Sequence, residues 1–529
     1  MSAPTPAQKK PETLQLERID DYLSAKQPWE AKALALSFAE KNPANADGWI
    51  LLGRAHLDLL QFASALEAAQ KAVALAPQHP IARTVLMDAL LRCGQIEKAL
   101  NEASSLEAER KFDPVILLKV GQFYSQTNRH EDAARVFQRV CVLRPADPGV
   151  HYHLASAYVA LGNMEKVEAI FDDVLRKRPH EFEAYYNRTN LRKQTPERNH
   201  VAEMERVLND MLVSDSGGPL LCYSLAKELE DLGEWKRSFT YLRRGADMRK
   251  RQSGYRVEPD LEFLERYQKQ FDESFFAQAR PGYEAESPFF VLGMPRSGTT
   301  LVDRIISSHS KVGSVGESRE FTNTVVRQTD EGGEVTVIAL VRAKEFDYEK
   351  IGREYCDSIN GWLPGYAHLL DKTPSNFSFI GTILTALPNA KIIHLRRHPV
   401  DSCYAMYKTL FRSGFDFSYD LKDVGRFYLG YLKLMEHWRR VLPGRFHDVY
   451  YEDIVNNQEE ESRKMIAFCG LDWEDACLSF EKNSSPSLTA SAAQVRQPIY
   501  KSSVALWRRY EEELAPLIRT LRDGGIEID

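Results

Sequence analysis

The chain has 529 residues, which at roughly 150 residues per domain corresponds to about two to four domains. Hydrophobic residues make up 43% and charged residues 27%, so the composition excludes a wholly disordered chain, a collagen-like fibre and a polytopic membrane protein. The formal net charge of −6 gives no global electrostatic reason to expect a nucleic-acid partner. Any anionic ligand must therefore be held by a local basic pocket.

The seven cysteines are odd in number and scattered along the chain. This distribution argues against a disulfide framework and against a cysteine-type zinc site, and it favours a reducing compartment. Residues 1–12 lack the apolar core of a secretory signal, and no run of about 18 apolar residues occurs. We therefore expect a cytoplasmic protein without a membrane span.

Small residues and helix-ending residues recur along the first part of the chain in steps of 34 residues. Four columns share this step, with one step skipped between Pro77 and Pro145: Gly53, Met87, Gly121 and Ala155; Ala31, Ala65, Ala99, Ala133 and Val167; Pro43, Pro77, Pro145 and Pro179; and Gly94, Asn128 and Gly162. Small residues let paired helices approach closely. Glycine or asparagine ends the first helix of each pair in a left-handed cap, and proline ends the second helix. The period therefore predicts an array of helical pairs.

This array resembles the tetratricopeptide repeat, and four residues occupy its signature positions: Trp49, Gly53, Ala65 and Pro77. The register runs from about residue 12 to residue 192, and a looser unit at residues 219–251 resembles a closing repeat. The resemblance implies an all-α solenoid over residues 12–275, whose concave surface could hold a peptide or another subunit. Use of the repeats to form a homodimer is an alternative.

Near residue 275 the pattern changes from paired helices to short β-rich runs separated by helical stretches. Three runs are suited to buried strands: residues 287–292, 391–395 and 445–451. Strands that alternate with long helical stretches predict an α/β domain with a mostly parallel sheet, here over residues 284–529. Ligands of such sheets bind beyond the carboxyl ends of the strands, so the residues that follow each predicted strand are candidates for a site.

A glycine-containing loop follows the first of these strands. Residues 293–300 read Gly-Met-Pro-Arg-Ser-Gly-Thr-Thr and precede an apolar helix. A strand, a glycine loop and a helix together place backbone N–H groups around an anion, and Arg296 adds charge-assisted donors. The spacing of the two glycines is that of a P-loop, but Thr299 occupies the lysine position, which argues against a nucleoside triphosphate site.

The loop is similar to the 5′-phosphosulfate loop of sulfotransferases, which use 3′-phosphoadenosine 5′-phosphosulfate (PAPS) as donor. The arginine after the proline resembles the tyrosylprotein sulfotransferase branch, and also the bacterial proteins that join tetratricopeptide repeats to such a domain. The resemblance covers about Phe289 to the C-terminus. It implies that five loop residues bind the donor: Arg296, Ser297, Gly298, Thr299 and Thr300.

Three further segments resemble elements of the same family. Arg397 matches the arginine of the 3′-phosphate segment, although Ala405 stands where the family has a serine. Glu317, in a Gly-Glu-Ser-Arg context, matches the catalytic glutamate, and Lys372 matches a short lysine segment. Near the C-terminus three residues match the loop that closes over the nucleotide: Ser491, Tyr500 and Lys501. His394 lies in the predicted strand 391–395, which precedes Arg397, and it is expected to be a packed or hydrogen-bonded histidine.

The resemblance implies transfer of a sulfuryl group from PAPS to a hydroxyl, which leaves adenosine 3′,5′-bisphosphate. In this hypothesis Glu317 accepts the proton of the acceptor as general base. Lys372 and Arg296 stabilise negative charge on the departing oxygen, and no metal is required. The acceptor could be a tyrosine of a peptide or protein held by the repeats, or a small molecule, a lipid or a saccharide.

Two alternatives remain open from the sequence. The chain could be a non-catalytic scaffold in which the repeats recruit a partner and the α/β domain only senses nucleotide, a hypothesis that Ala405 favours. It could also be a P-loop kinase, which Thr299 in place of lysine argues against.

Overall fold

The computed structural model describes residues 11–528, except for several gaps: residues 60, 110–112, 210–216, 281, 286–287, 329–341, 364, 412–413, 484–496, 498, 500 and 502. The chain divides into two compact units, one that ends at Leu161 and one that begins at Gly162. Throughout the described ranges, no helix has both the length and the apolar character that a membrane span needs.

The N-terminal unit is built from helices of 13 or 14 residues that pair in sequence. They are α1 (Pro11–Ser24), α2 (Pro28–Lys41), α3 (Ala46–Asp58), α4 (Phe62–Leu75), α5 (Pro80–Arg92), α6 (Ile96–Glu109), α7 (Pro114–Gln126), α8 (His130–Leu143) and α9 (Pro148–Ala160). The small-residue columns of the sequence, apart from Val167, lie inside these helices and are buried. At Gly121, for example, an added Cβ would lie 2.5 Å from the ring of Phe137 on the next helix. The predicted helical repeat array is confirmed.

The turns between paired helices adopt the left-handed conformation that the sequence predicts. Gly94 has φ 73° and Asn128 has φ 59°. At the first of these turns the N–H of Gly94 bonds the carbonyl of Leu91 at 3.0 Å, and the N–H of Gln95 bonds that of Leu90 at 2.9 Å. The turn therefore satisfies carbonyls that the end of α5 would otherwise leave unpaired.

Replacement of Gly94 tests the cost of this conformation alone, because no atom lies within 4 Å of the position of an added Cβ. We expect Gly94→Ala to lower the free energy of unfolding by about 1 kcal/mol, and Gly94→Asn to lower it by less, since asparagine tolerates positive φ. Urea unfolding of the full chain, followed by circular dichroism, measures both. Equal losses for the two variants would contradict this explanation.

The C-terminal unit begins with further helices, which precede the sheet. They are α10 (Met164–Lys177), α11 (Phe182–Thr189), α12 (Val201–Leu208), α13 (Gly217–Asp231), α14 (Trp235–Ser253), α15 (Glu258–Gln270) and α16 (Glu273–Gln278). The pair α13–α14 coincides with the predicted closing repeat. Its residues Tyr223 and Phe239 share one hydrophobic core with Trp438 from the C-terminal part of the chain. The compact C-terminal unit thus starts well before residue 284. The domain bounds 12–275 and 284–529 stay predictions from the sequence.

Five parallel strands form the sheet of this unit, in the order β2-β3-β1-β4-β5. They are β1 (Phe289–Gly293), β2 (Val312–Gly316), β3 (His368–Asp371), β4 (Lys391–Arg396) and β5 (Phe446–Tyr450). The three predicted strands correspond to β1, β4 and β5, and the predicted parallel sheet is confirmed. Strands β2 and β3 were not predicted.

Helices cover both faces of the sheet. They are α17 (Thr299–Ser307), α18 (Glu320–Arg327), α19 (Tyr348–Trp362), α20 (Ile380–Ala386), α21 (Pro399–Tyr407), α22 (Leu421–Val441), α23 (Tyr451–Asn456), α24 (Gln458–Phe468) and α25 (Ala515–Asp523), with 3₁₀ turns at Pro374–Phe379, Asp416–Tyr419, Asp475–Leu478, Phe480–Lys482 and Leu506–Tyr510. Alternate residues of β1 enter two separate cores, with Phe290 in one and Val291 in the other.

The strand order fixes where a ligand crevice opens. After β1 the chain crosses to β2 on one side of the sheet, and after β4 it continues to β5 on the other side. The connections that leave β1 and β4 therefore diverge, although the two strands are neighbours. A ligand crevice in an open α/β sheet lies at such a point.

Candidate functional site

The loop between β1 and α17 packs tightly against β4 and α23. Gly293 has φ 149°, and an added Cβ there would lie 2.4 Å from the carbonyl oxygen of Leu395. Gly298 has φ 108°, and an added Cβ there would lie 2.6 Å from the ring of Tyr451. Only glycine fits at either position. Arg296 also has a positive φ, 66°, which is unusual for a residue with a side chain.

The hydroxyl groups of this loop lie at the start of α17. Ser297 is only 1% exposed, and its Oγ has no hydrogen-bond partner among the residues that the structure describes. Thr299 and Thr300 are the first two residues of the helix and are also buried. A buried hydroxyl without a partner among the described residues, beside a helix N-terminus, fits an anionic group.

Arg397 joins this loop to the C-terminal segment. Its Nη1 donates to the carbonyl of Arg296 at 3.1 Å, and its Nη2 donates to the carbonyl of Ser503 at 2.6 Å. The guanidinium lies over the ring of Tyr451, 5.0 Å from the centroid. Its Nε has no partner within the described ranges. The structure therefore places the predicted 3′-phosphate arginine directly beside the predicted 5′-phosphate loop.

The segment from Ser503 to Trp507 is fastened beside the start of α21. Asp401 is buried and accepts the backbone N–H groups of Ala505 at 2.7 Å and Trp507 at 3.2 Å. The Trp507 ring stacks on His398, with centroids 5.4 Å apart. Sequence reasoning missed these contacts, although the position of Asp401 in the first turn after a predicted strand was a usable signal.

The structure describes one of the three residues predicted in the C-terminal loop. This residue, Lys501, has an exposed side chain. Ser491 and Tyr500 lie outside the described residues. Ala405, which replaces the family serine, is 6% exposed on α21.

Glu317 and Lys372 contact each other at the carboxyl ends of β2 and β3. Glu317 follows the last residue of β2 and Lys372 follows the last residue of the neighbouring β3. The ammonium of Lys372 donates to Oε1 of Glu317 at 2.5 Å. The lysine side chain is 1% exposed, whereas that of Glu317 is 51% exposed. The structure thus pairs the predicted base with the predicted lysine and leaves the carboxylate open to solvent.

Two buried carboxyl groups lie behind this ion pair, and neither was predicted. Asp371 accepts hydrogen bonds from Thr373 at 2.7 Å and Tyr355 at 2.9 Å, and burial raises its pKa to about 7. Burial also raises the pKa of Asp303 on α17, against the opposing charge of Lys372. Burial therefore favours the protonated form of both carboxyl groups beside the ammonium of Lys372.

The raised pKa of Asp371 predicts a pH dependence of stability. Between about pH 4 and pH 7 the folded chain holds a proton that the unfolded chain has lost, so this group lowers the free energy of unfolding as pH rises. We expect Asp371→Asn to remove that loss, so that the variant gains stability relative to the parent protein between pH 5 and pH 8. Urea unfolding at both pH values measures this.

A matched control is Glu349→Gln, because Glu349 is an exposed carboxylate paired with Arg353. Its stability should differ from that of the parent protein by a nearly constant amount over the same range. If the Asp371→Asn curve ran parallel to the parent curve, the raised pKa would be contradicted.

Two residues of β4, His394 and Arg396, have structural roles. His394 is buried, and its ring nitrogens bond Asp448, at 2.5 Å, and the hydroxyl of Tyr431. This confirms the expected hydrogen-bonded histidine. The guanidinium of Arg396 lies over the ring of Tyr450, 4.7 Å from the centroid, on the neighbouring strand. These contacts hold β4 and β5 in place.

Family models match segments in both parts of the chain. Residues 288–475 match the model of the sulfotransferase family. Residues 16–80 match a tetratricopeptide repeat model, and residues 55–186 match the N-terminal repeat region of Psidin.

Two curated relatives align over long stretches. An uncharacterized protein of Aquifex aeolicus (strain VF5) is 28% identical over 439 residues, which cover 81% of this chain and 57% of that protein. A protein-tyrosine sulfotransferase of Drosophila melanogaster is 27% identical over 240 residues, 42% of this chain and 48% of that protein. The alignments thus span about half the length of these relatives.

Among solved structures, a thermophilic tetratricopeptide repeat protein from Thermus thermophilus has 19% identity. It covers 34% of this chain and 98% of its own, with a TM-score of 0.30.

Proposed function

We propose that the protein transfers a sulfuryl group from PAPS to a hydroxyl acceptor, since residues 288–475 match the model of the sulfotransferase family. The main support for this proposal is the contact of Arg397 with the carbonyl of Arg296. This contact joins two anion-binding elements at the point where the connections from β1 and β4 diverge. A donor with phosphate groups at two ends requires two such elements side by side.

The donor-binding roles follow from the chemistry of each element. The loop residues Arg296 to Thr300 hold the 5′-phosphosulfate with backbone N–H groups, with the unpaired hydroxyl of Ser297 and with the start of α17. Arg397 and the start of α21 hold the 3′-phosphate. From the family resemblance alone, we propose that Ser491, Tyr500 and Lys501 also bind the nucleotide.

Glu317 and Lys372 serve the transfer step. The oxygen of the acceptor hydroxyl forms a bond to sulfur while the bond from sulfur to the bridging oxygen breaks. Glu317 accepts the hydroxyl proton, and Lys372 with Arg296 stabilises the negative charge left on the bridging oxygen, which becomes part of adenosine 3′,5′-bisphosphate. Their ion pair fixes the base and the cation next to each other before substrate arrives.

We favour a tyrosine of a peptide or protein as acceptor. The support is that several aligned relatives are named protein-tyrosine sulfotransferases. The fused repeats add a surface of the kind that binds peptides, and both observations fit a macromolecular acceptor better than a small molecule.

Replacement of the base tests the proposed step. Because Glu317→Gln removes the proton acceptor, we expect the rate of transfer from labelled PAPS to tyrosine-containing peptides to fall by about 10²- to 10⁴-fold. Binding of adenosine 3′,5′-bisphosphate should change little. The control is Glu349→Gln, an exposed pair partner of Arg353, which should retain the parent rate. Transfer by Glu317→Gln at the parent rate would remove Glu317 from the reaction.

The donor site is tested by calorimetry with two nucleotides. We expect Arg397→Ala to weaken binding of adenosine 3′,5′-bisphosphate by about 10- to 100-fold, since a charged hydrogen bond contributes roughly 1.5–3 kcal/mol. Binding of adenosine 5′-phosphate should weaken less, because that nucleotide is affected only through the lost contact of Arg397 with the carbonyl of Arg296. Arg396→Ala is the matched control, because its guanidinium lies over Tyr450. An equal loss for both nucleotides would contradict the assignment of the 3′-phosphate to Arg397.

A further inference from the structure

A carboxylate from the closing helical pair reaches elements on both sides of the proposed donor site. Glu230 is the second-last residue of α13, and its side chain is 18% exposed. Its Oε2 accepts hydrogen bonds from the hydroxyls of Tyr404 at 2.9 Å and Tyr510 at 3.0 Å. Its Oε1 accepts a hydrogen bond from the ammonium of Lys408 at 2.7 Å. Three donors from two distant parts of the chain thus converge on one carboxylate.

These donors belong to the two elements that meet at Arg397. Tyr404 lies on α21, which begins two residues after Arg397, and Lys408 directly follows that helix. Tyr510 ends the 3₁₀ turn Leu506–Tyr510, which continues the segment that starts at Ser503. Glu230 therefore binds both elements at the ends remote from the phosphate-binding groups.

The same two elements are bonded to each other at the site end. Asp401, in the first turn of α21, accepts the N–H groups of Ala505 and Trp507. Arg397 donates to the carbonyl of Ser503. The elements are thus held at one end by Arg397 and Asp401 and at the other end by Glu230.

We propose that Glu230 is a positioning residue of the donor site, one that sets how α21 and segment 503–510 lie relative to each other. This inference rests on the proposed function for its link to PAPS. It assigns to the closing helical pair a direct part in the catalytic domain, since the carboxylate comes from α13. Neighbouring contacts act in the same direction: Tyr223 of α13 donates to the carbonyl of Tyr407 at 3.1 Å.

The charge of Glu230 is essential to this role. Burial alone would raise its pKa, but the positive charge of Lys408 and the donated hydrogen bonds outweigh burial, and the pKa is lowered. The carboxylate is therefore ionised at neutral pH and can accept all three donors. Loss of the charge leaves a half-buried ammonium without its counter-ion and two buried hydroxyls without a strong acceptor, which loosens both elements.

The chain offers a matched control two residues away. Glu228 lies on the same helix and is fully buried. It accepts hydrogen bonds from the hydroxyl of Thr189 at 2.9 Å and from the backbone N–H of His200 at 2.6 Å. Both of these partners precede α13, so neutralisation of Glu228 should loosen α13 without acting on α21 or segment 503–510 directly.

The test compares Glu230→Gln, Tyr510→Phe and Glu228→Gln in the full chain, without nucleotide. Amide hydrogen exchange by mass spectrometry follows peptides that contain Ala505 and Trp507. We expect faster exchange at these peptides in Glu230→Gln and Tyr510→Phe, and parent-like exchange in Glu228→Gln. If Glu230→Gln does not fold, Tyr510→Phe, which removes a single hydroxyl, tests the proposed role of Glu230.

Nucleotide binding and kinetics give the second readout. We expect the Kd of adenosine 3′,5′-bisphosphate and the KM of PAPS to rise about tenfold in Glu230→Gln, with the KM of the acceptor and kcat nearly unchanged. Parent-like exchange and parent-like Kd in both Glu230→Gln and Tyr510→Phe would overturn the inference, as would equal effects in Glu228→Gln. If the parent protein bound no bisphosphate, the proposed function would fail, and the exchange comparison alone would decide whether Glu230 positions the two elements.

Discussion

The guanidinium of Arg397 is the contact on which the arrangement of the site depends. It donates to the carbonyls of Arg296 and Ser503 and lies over the ring of Tyr451, so it joins the ends of β1, β4 and β5 to the C-terminal segment. Parallel pairing makes this possible, because it brings the carboxyl ends of β1 and β4 to the same edge while their connections diverge. The proposed anion site thus combines segments that are about a hundred residues apart.

The same edge of the sheet holds the groups proposed for proton transfer. Lys372 is buried at the end of β3, and burial of a lone ammonium would be costly. Glu317 offsets that cost from the end of β2. The unusual exposure of the glutamate beside a buried lysine leaves one partner open to an acceptor while the other stays fixed. The proposed anion site and the ion pair therefore lie at the same edge of the sheet, because its strands are all parallel.

The sequence identifies the repeats and most of the strands because their signals are local. A step of 34 residues between small residues needs no knowledge of distant contacts, and β1, β4 and β5 are apolar or alternating runs. Strands β2 and β3 are not predicted from the sequence, because β2 is rich in glycine and β3 has only four residues. Glu317, Lys372 and Arg397 are found through resemblance to a family, and their meeting places are visible only in the fold.

The residues that the sequence does not reveal are those whose chemistry comes from burial. Asp303 and Asp371 have raised pKa values because they are buried in the core, away from water. Glu230 gains its role from Tyr510, which lies 280 residues further along the chain. No local pattern encodes such a pairing. Ser491 and Tyr500 stay predictions, since they lie outside the part of the chain that the structure describes.

A crystal structure of the full chain with adenosine 3′,5′-bisphosphate would show which residues hold each phosphate. We expect the 5′-phosphate to lie on the N–H groups of residues 296–300 and the 3′-phosphate to contact Arg397 at the start of α21. A nucleotide bound elsewhere, or one whose 3′-phosphate makes no contact with Arg397, would contradict this expectation.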